Sequence, residues 1–328
     1  AGGDNGQPAA GVPETVSDLP PVPGPDPATD PHLAALLGQL RRQHNDAICA
    51  TLLYGSCLRS GDIYDGLLDL YLICDNYRSA YRSHPLLAAG NWLLPPNVFY
   101  TELRAGDRTL RSKVTVISLR DFRRGCSRAW FESYIWGRFA QPTRVLHSRD
   151  EAARDNVENC LLQAARTLLY NALPALPPEG AVDDLWEQAL ALSYSTELRT
   201  ERTGRARELA HAFRTFYAAV TRLHADSLGL DFTVYDAGGE LWYRSRIGGS
   251  RRRLARWAWA LRRLQGKVLS VMRLVKALFT FEGGLDYIAW KLERHSGQEV
   301  VIPDRVRRAP LIFAWGFFWE LYRRGVFR

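Results

Sequence analysis

The first stretch whose residue types could do chemistry runs from Thr51 to Asp75. An apolar pair, Leu52-Leu53, leads into Tyr54-Gly55-Ser56, and a polar loop runs from Cys57 to Gly66. A second apolar run, Leu67-Leu68-Asp69-Leu70-Tyr71-Leu72-Ile73, carries one acid in its middle. As a strand, it places Leu68, Leu70 and Leu72 on one face and Asp69, Tyr71 and Ile73 on the other. A lone carboxylate on a covered face is costly without a cation or a partner. The backbone N–H groups of a Gly-Ser turn can receive a triphosphate, and an acid about a dozen residues later can hold Mg²⁺ against the same phosphates. An ordinary turn followed by a strand acid fits the same residues.

A second pair of strands follows. Val98 to Leu103 leads through the turn Arg104-Ala105-Gly106-Asp107-Arg108 into Leu110 to Ser118. Alternation sets Ser112, Val114, Val116 and Ser118 on one face, with Lys113, Thr115 and Ile117 on the other. A lysine facing the acid-bearing surface could neutralise developing phosphate charge. The competing reading is a solvated lysine on an edge strand. Strand, Gly-Ser turn and acid-bearing strand are the layout of the nucleotidyltransferase fold, so the expected class is α+β. It comprises a polymerase-β-like mixed-sheet domain, a mainly helical domain with a possible winged helix, and a basic amphipathic C-terminal region.

The elements around these strands divide the chain. Residues 1–31 are rich in Pro, Gly, Ala and Asp without apolar periodicity and read as a disordered tail. The nucleotidyltransferase domain is expected over 32–145 and opens with a helix after Asp30-Pro31 bearing Leu33, Leu36, Leu37 and Leu40. His84 lies in a mixed tract before Pro95-Pro96, where it could meet a phosphate or simply be solvated. The aromatic stretch Trp130 to Pro142 suits an amphipathic helix with Trp130, Tyr134 and Ile135 as core, ending near Gly137. A helical domain is expected over 146–240, with helices near 151–170, 182–192 and 204–225.

Net charge is +8, from 43 Lys and Arg against 35 Asp and Glu. It is unevenly placed: residues 241–328 carry +13 and residues 1–240 carry −5. Such asymmetry points to an anionic surface, nucleic acid or phospholipid. Five cysteines without metal-ligand spacing read as reduced thiols of a cytosolic compartment. No signal peptide is visible, and no apolar run approaches the roughly 20 residues that a membrane span needs.

Region 241–328 holds two amphipathic elements. Leu254, Trp257, Leu261, Leu264, Val268, Val271, Val275 and Leu278 form one helical stripe flanked by Arg252, Arg253, Arg256, Arg263, Lys267 and Arg273. That stripe is expected to pack on the body of the protein rather than lie in a membrane interface. Residues 310–324, dense in Trp, Phe and Tyr and ending in two arginines, match an interfacial membrane anchor.

Several stretches, in order, resemble the mitochondrial translocator-assembly-and-maintenance family of phosphatidate cytidylyltransferases. Tyr54-Gly55-Ser56 resembles its nucleotide-binding turn, and Leu68-Asp69-Leu70-Tyr71 its single-acid strand. Asn97-Val98-Phe99-Tyr100 and Lys113 to Ser118 resemble its next two strands. Trp136-Gly137-Arg138-Phe139-Ala140-Gln141-Pro142 resembles its Gly-Arg-Leu-Gln-Lys-Pro stretch, and Leu192 to Arg199 its Leu-Ser-Tyr-Ser-Gly-Asp-x-Arg stretch. The resemblance covers roughly residues 45–215. Cys57 stands where the family has a second glycine, Thr196 and Glu197 replace Gly-Asp, and the family's Trp-His pattern before Pro95 is missing.

The resemblance implies transfer of CMP from CTP to phosphatidic acid, giving CDP-diacylglycerol and pyrophosphate. It implies Gly55 and Ser56, with Tyr54, on the triphosphate, Asp69 on Mg²⁺, and Lys113 and Arg138 neutralising phosphate charge. Ser193, Ser195 and Arg199 are further candidates for nucleotide or phosphatidate contact. Tyr71 sits where many nucleotidyltransferases have a second acid; Asp65, Asp75 and Glu102 are candidates to supply it, and the neighbouring strand favours Glu102. The expected setting is cytoplasmic, peripheral on the inner face of an anionic membrane (the matrix face if mitochondrial), with no nucleic acid and an undetermined oligomeric state. The rivals are a nucleotidyltransferase acting on tRNA, a small molecule or a protein, and a catalytically silent membrane-binding scaffold.

Overall fold

A computed structural model describes residues 19–198 and 204–280, together with 303, 304 and 306. Arg199 and the aromatic segment 310–324 lie outside the described residues. The chain forms two compact units, each assembled from separated stretches. One contains residues 23–123, 143–157 and the described residues from 268; the other contains the described residues up to 22, 124–142 and 158–267. The division is thus interleaved along the chain, whereas the sequence reading places boundaries at 145 and 240.

The first unit is built on helix α1 (Pro31–Gln43), strand β1 (Ile48–Tyr54), the short α2 (Cys57–Ser60) and β2 (Leu68–Cys74). It continues with α3 (Tyr77–Ala80), α4 (Pro85–Leu93), β3 (Asn97–Ala105), β4 (Arg108–Ser118), α5 (Leu119–Cys126) and β5 (Arg144–Ser148). Asp30 caps α1 by accepting from the His32 and Leu33 N–H groups, and Pro31 opens it. Leu33, Leu36, Leu37 and Leu40 form the buried stripe that the sequence predicts. The five strands run in the order β3-β4-β2-β1-β5, with β2 and β4 parallel and every other pair antiparallel. The central strands are buried on both faces, which is why β1 and β2 read as nearly continuous apolar runs.

Two findings depart from the sequence reading. Residues 23–31, assigned there to a disordered tail, lie against the sheet: Arg144 donates to Asp26 at 3.2 Å, and Gly24 abuts Leu58. Strand β4 is also interior rather than an edge, so Lys113 is not an edge-strand gatekeeper.

The second unit holds α6 (Trp136–Phe139), α7 (Glu151–Ala172) from residue 158 on, β6 (Glu179–Ala181), α8 (Val182–Tyr194), α9 (Arg205–Ala212) and α10 (Arg214–His224). Strands β7 (Phe232–Ala237) and β8 (Glu240–Ser245) follow, and then α11 (Gly249–Thr280), which belongs to this unit as far as Lys267. The long helix expected over the aromatic stretch is a single turn, α6, with Gly137 inside it and Pro142 shortly after it. Of the expected core, Ile135 is buried, whereas Trp130 and Tyr134 are only half-buried; Trp136 and Phe139 are buried in their place. The helix expected over 204–225 breaks at Phe213 into α9 and α10. Strands β6, β8 and β7 form a small antiparallel sheet, closed by Gly238-Gly239 at φ +62° and +83°, a two-residue hairpin turn that needs left-handed residues. Trp186 stacks on Tyr217 at 4.4 Å and donates to Thr221 Oγ1 at 2.8 Å, tying α8 to α10.

Helix α11 carries the largest departure. Its inner residues are Trp259, Arg262 and Gly266, not the apolar stripe. Arg262 donates to Phe131 O and Asn171 Oδ1, both at 2.8 Å, and lies over the rings of Phe131, Trp136 and Trp259. Burial lowers it to about 10, which leaves it charged at neutral pH. A side chain at Gly266 would meet the Thr196 carbonyl at 2.4 Å, so only glycine permits this approach. The stripe predicted to pack inward is on the solvent side: Leu254, Trp257, Leu261 and Leu264 are 56 to 75% exposed.

The His224 imidazole, buried at the end of α10, gives this unit an acid weakness. Burial first, and the nearby Arg166 second, lower its pKa to about 4. Below pH 6.5 the unfolded chain takes up a proton that the folded chain refuses, so stability falls as pH drops from 6.5 towards 4. The expected loss is roughly 3 kcal/mol by pH 4. Urea unfolding at pH 7 and pH 4.5 checks this, since His224→Gln should flatten that part of the difference.

Candidate active site

The register of the first unit's sheet builds the site. Tyr54 on β1 pairs with Asp69 on β2, Asp69 with Lys113 on β4, and Lys113 with Tyr100 on β3. Directly paired residues share a face, so these four side chains form one row across four strands. Asp69 is 26% exposed and Lys113 35%, with Lys113 Nζ 3.9 Å from Asp69 Oδ1. An ion pair this open contributes about 0–1 kcal/mol, so stability does not explain the arrangement. The next row on the same face is Tyr71, wholly buried, its ring edge-on to Tyr54 at 5.5 Å.

Gly55 closes β1 over this row. Its φ is +94°, and a Cβ there would stand 3.0 Å from Asp69 Oδ2. Glycine is therefore required both by the turn and by the approach of the carboxylate. Ser56 follows, exposed, and its hydroxyl caps no helix N–H. Cys57 points inward, donating to Leu67 O, and burial followed by the nearby Asp69 pushes its thiol up to about 11. It stays protonated at neutral pH and is no nucleophile.

Glu102 lies two residues along β3 from Tyr100, opposite Arg111. Tyr100 Oη donates to its Oε1 at 2.5 Å and Arg111 Nε lies 3.4 Å away, so its carboxylate already has two partners. Burial and that carboxylate together hold the Tyr100 phenol well above its usual range. Asp75 is six residues along β2 from Asp69, about 20 Å at strand spacing, and is held by Arg149 at 2.7 and 3.1 Å. It cannot share an ion with Asp69. Asp65 lies in the loop before β2, its N–H donating to Asp62. Among the described residues no group of three His, Cys, Asp or Glu could hold a metal. The donor set thus fits Mg²⁺ only as an ion bound largely by phosphate oxygens, with Asp69 as one protein ligand.

Arg138, Ser193 and Ser195 belong to the second unit. There, two stretches some distance apart in sequence are knitted together. Arg138 donates to Glu197 at 2.9 Å and lies over the Tyr134 ring, and Ser133 hydrogen-bonds Thr196 at 2.7 Å. A Cβ at Gly137 would touch Ser193 at 2.8 Å, so Ser193, 5% exposed, is a packing partner of that glycine. Ser195 donates to Leu192 O within its own helix end. His84 is exposed beside α4 and joins none of these groups.

Sequence reasoning missed Tyr100 and Arg111 as members of the site face. The signal was present: a two-residue turn at Gly106-Asp107 fixes Tyr100 opposite Lys113 and Glu102 opposite Arg111 by counting outward. No family model and no curated protein matches this chain.

Proposed function

We propose that the chain is a nucleotidyltransferase that moves CMP from CTP to phosphatidic acid, releasing pyrophosphate and forming CDP-diacylglycerol. The observation that carries this reading is the cross-strand row Tyr54-Asp69-Lys113-Tyr100 beneath the Gly55 turn. Mixed strand pairing around an acid-bearing β2 supports the nucleotidyltransferase fold for the first unit. The order α7, β6, α8, α9 and α10, then the β7–β8 hairpin, with β6 paired to β8, supports a winged helix in the second.

A phosphate oxygen of the lipid attacks the α-phosphorus of CTP, a new P–O bond forms, and the bond to pyrophosphate breaks. The attacking oxygen is already ionised, so no strong base is needed and catalysis rests on positioning and charge. Gly55 and Ser56 receive the triphosphate through backbone N–H groups. Asp69 would hold Mg²⁺, which when bound would offset negative charge on the phosphates. Lys113 neutralises charge on the phosphates near Asp69. The lipid acceptor places the protein at the inner surface of a membrane, and among the described residues no helix is long and apolar enough to cross one.

Labelled CTP, phosphatidic acid in detergent and Mg²⁺ should yield a labelled CDP-lipid. Lys113→Met is expected to lower kcat by about 10²-fold, the usual loss on removing one charge-stabilising donor. Label appearing in tRNA or a small acceptor but not in lipid rejects the proposed substrate. Turnover of Lys113→Met equal to wild type rejects the role of the lysine.

A further inference from the structure

We propose that the outer face of α11, with Arg128 and Arg251 beside its start, is the surface on which the protein docks to an anionic lipid bilayer. This extends the lipid-substrate reading above by naming the docking element. It is tested without nucleotide, so docking and catalysis can fail separately.

Three observations carry it. The first is the exposed stripe of Leu254, Trp257, Leu261 and Leu264, large apolar side chains at helical spacing on a solvent face. The helix cannot roll to hide them, because Arg262, Trp259 and Gly266 fix the opposite face by the contacts described above. Rolling would drag a buried guanidinium out of its aromatic cage and expose Trp259 instead.

The second is charge. Residues 241–281 contain eleven Lys and Arg and no acid. Arg253, Arg256 and Lys267 are exposed on α11 around the stripe. An apolar strip bordered by arginines fits the boundary between headgroups and acyl chains. A second copy of the same face would oppose like charges, and nucleic acid offers nothing to the apolar strip.

The third is a pair of arginines beside the helix start. Arg128 and Arg251 both donate to Tyr170 Oη, at 2.7 and 2.6 Å, and both guanidiniums lie over its ring, at 3.5 and 5.1 Å. Among the described residues, no carboxylate pairs with either. Arg124 stands over Trp130 in the same unit. Two converging guanidiniums without an acid suit a lipid phosphate.

The test is flotation of the full chain with phosphatidylcholine vesicles, with and without phosphatidylglycerol. The wild type should float only with the anionic vesicles. Trp257→Glu/Leu261→Glu should weaken that binding more than about 100-fold, by losing apolar insertion and adding like charge. Arg128→Gln/Arg251→Gln should weaken it about 25-fold. All these side chains are exposed, so both variants should melt with the wild type. A wild type that stays unbound, or a Trp257→Glu/Leu261→Glu protein that floats as well as wild type, overturns the proposal. So does a shift from dimer to monomer in that variant without lipid, which gives the face to a second copy.

Discussion

Asp69→Asn is expected to lower CMP transfer by about 10³-fold or more while leaving the fold intact. The substitution preserves shape and removes the one carboxylate of the Tyr54-Asp69-Lys113-Tyr100 row. An amide oxygen is a weak ligand for a hard divalent cation, and the charge stabilisation forfeited is several kcal/mol, each 1.36 kcal/mol being tenfold in rate. The fold should tolerate it, because Asp69 is partly exposed and its pairing with Lys113 at 3.9 Å contributes about 1 kcal/mol at most. The measurements are pyrophosphate release under saturating CTP and a melting curve. Loss of turnover with an unchanged melt supports the assignment. Turnover within tenfold of wild type removes Asp69 from the chemistry, whatever the acceptor is.

Gly55→Ala is the second large effect, and it can be separated from ordinary strain by a control. Holding a non-glycine residue at φ +94° costs about 1–3 kcal/mol. The added methyl would also meet Asp69 Oδ2 at 3.0 Å, so the turn or the carboxylate must shift. A misplacement near 1 Å in an assembled site costs about 10²-fold in rate. Gly61 shares the left-handed backbone, at φ +69°, but faces open space. Gly61→Ala should therefore destabilise by about 1 kcal/mol without changing kcat. Gly55→Ala should lose both stability and about 10²-fold in kcat. Equal kinetics for the two variants would show that the approach of Asp69 to the turn has no catalytic meaning.

The strands that bear the candidate site were legible because their signals are local. Alternation along 98–118 and the apolar runs around Asp69 placed Lys113 and Asp69 on consistent faces before any pairing was known. The cap Asp30-Pro31 and the leucine spacing of α1 were equally readable. What the sequence left hidden depends on distant partners. Arg138 meets Glu197 and Gly137 meets Ser193 only because α6 is brought to the end of α8, and no spacing rule encodes that. The aromatic stretch Trp130 to Pro142 was read as one helix because its apolar residues fall at helical spacing, yet the glycine and proline in it allow a single turn. Gly238-Gly239 between β7 and β8 is a hairpin signal that was available and unused. Helix α11 shows the limit most clearly. Periodicity says which residues share a face, but which face turns inward was decided by Arg262 and its ring of aromatics.

The interleaving of the two units bears on how the protein is made. A ribosome finishes the five-stranded sheet once Ser148 has emerged. The aromatic segment 124–142 lies inside that stretch yet belongs to the unit that ends at Lys267. At translation speeds of about 5–20 residues per second, Trp136 waits on the order of 10 s for its partner Trp259 to be synthesised. The nascent chain therefore passes through a window in which Trp136 is uncovered after the sheet has closed, and no single cut in the gene separates one unit from the other.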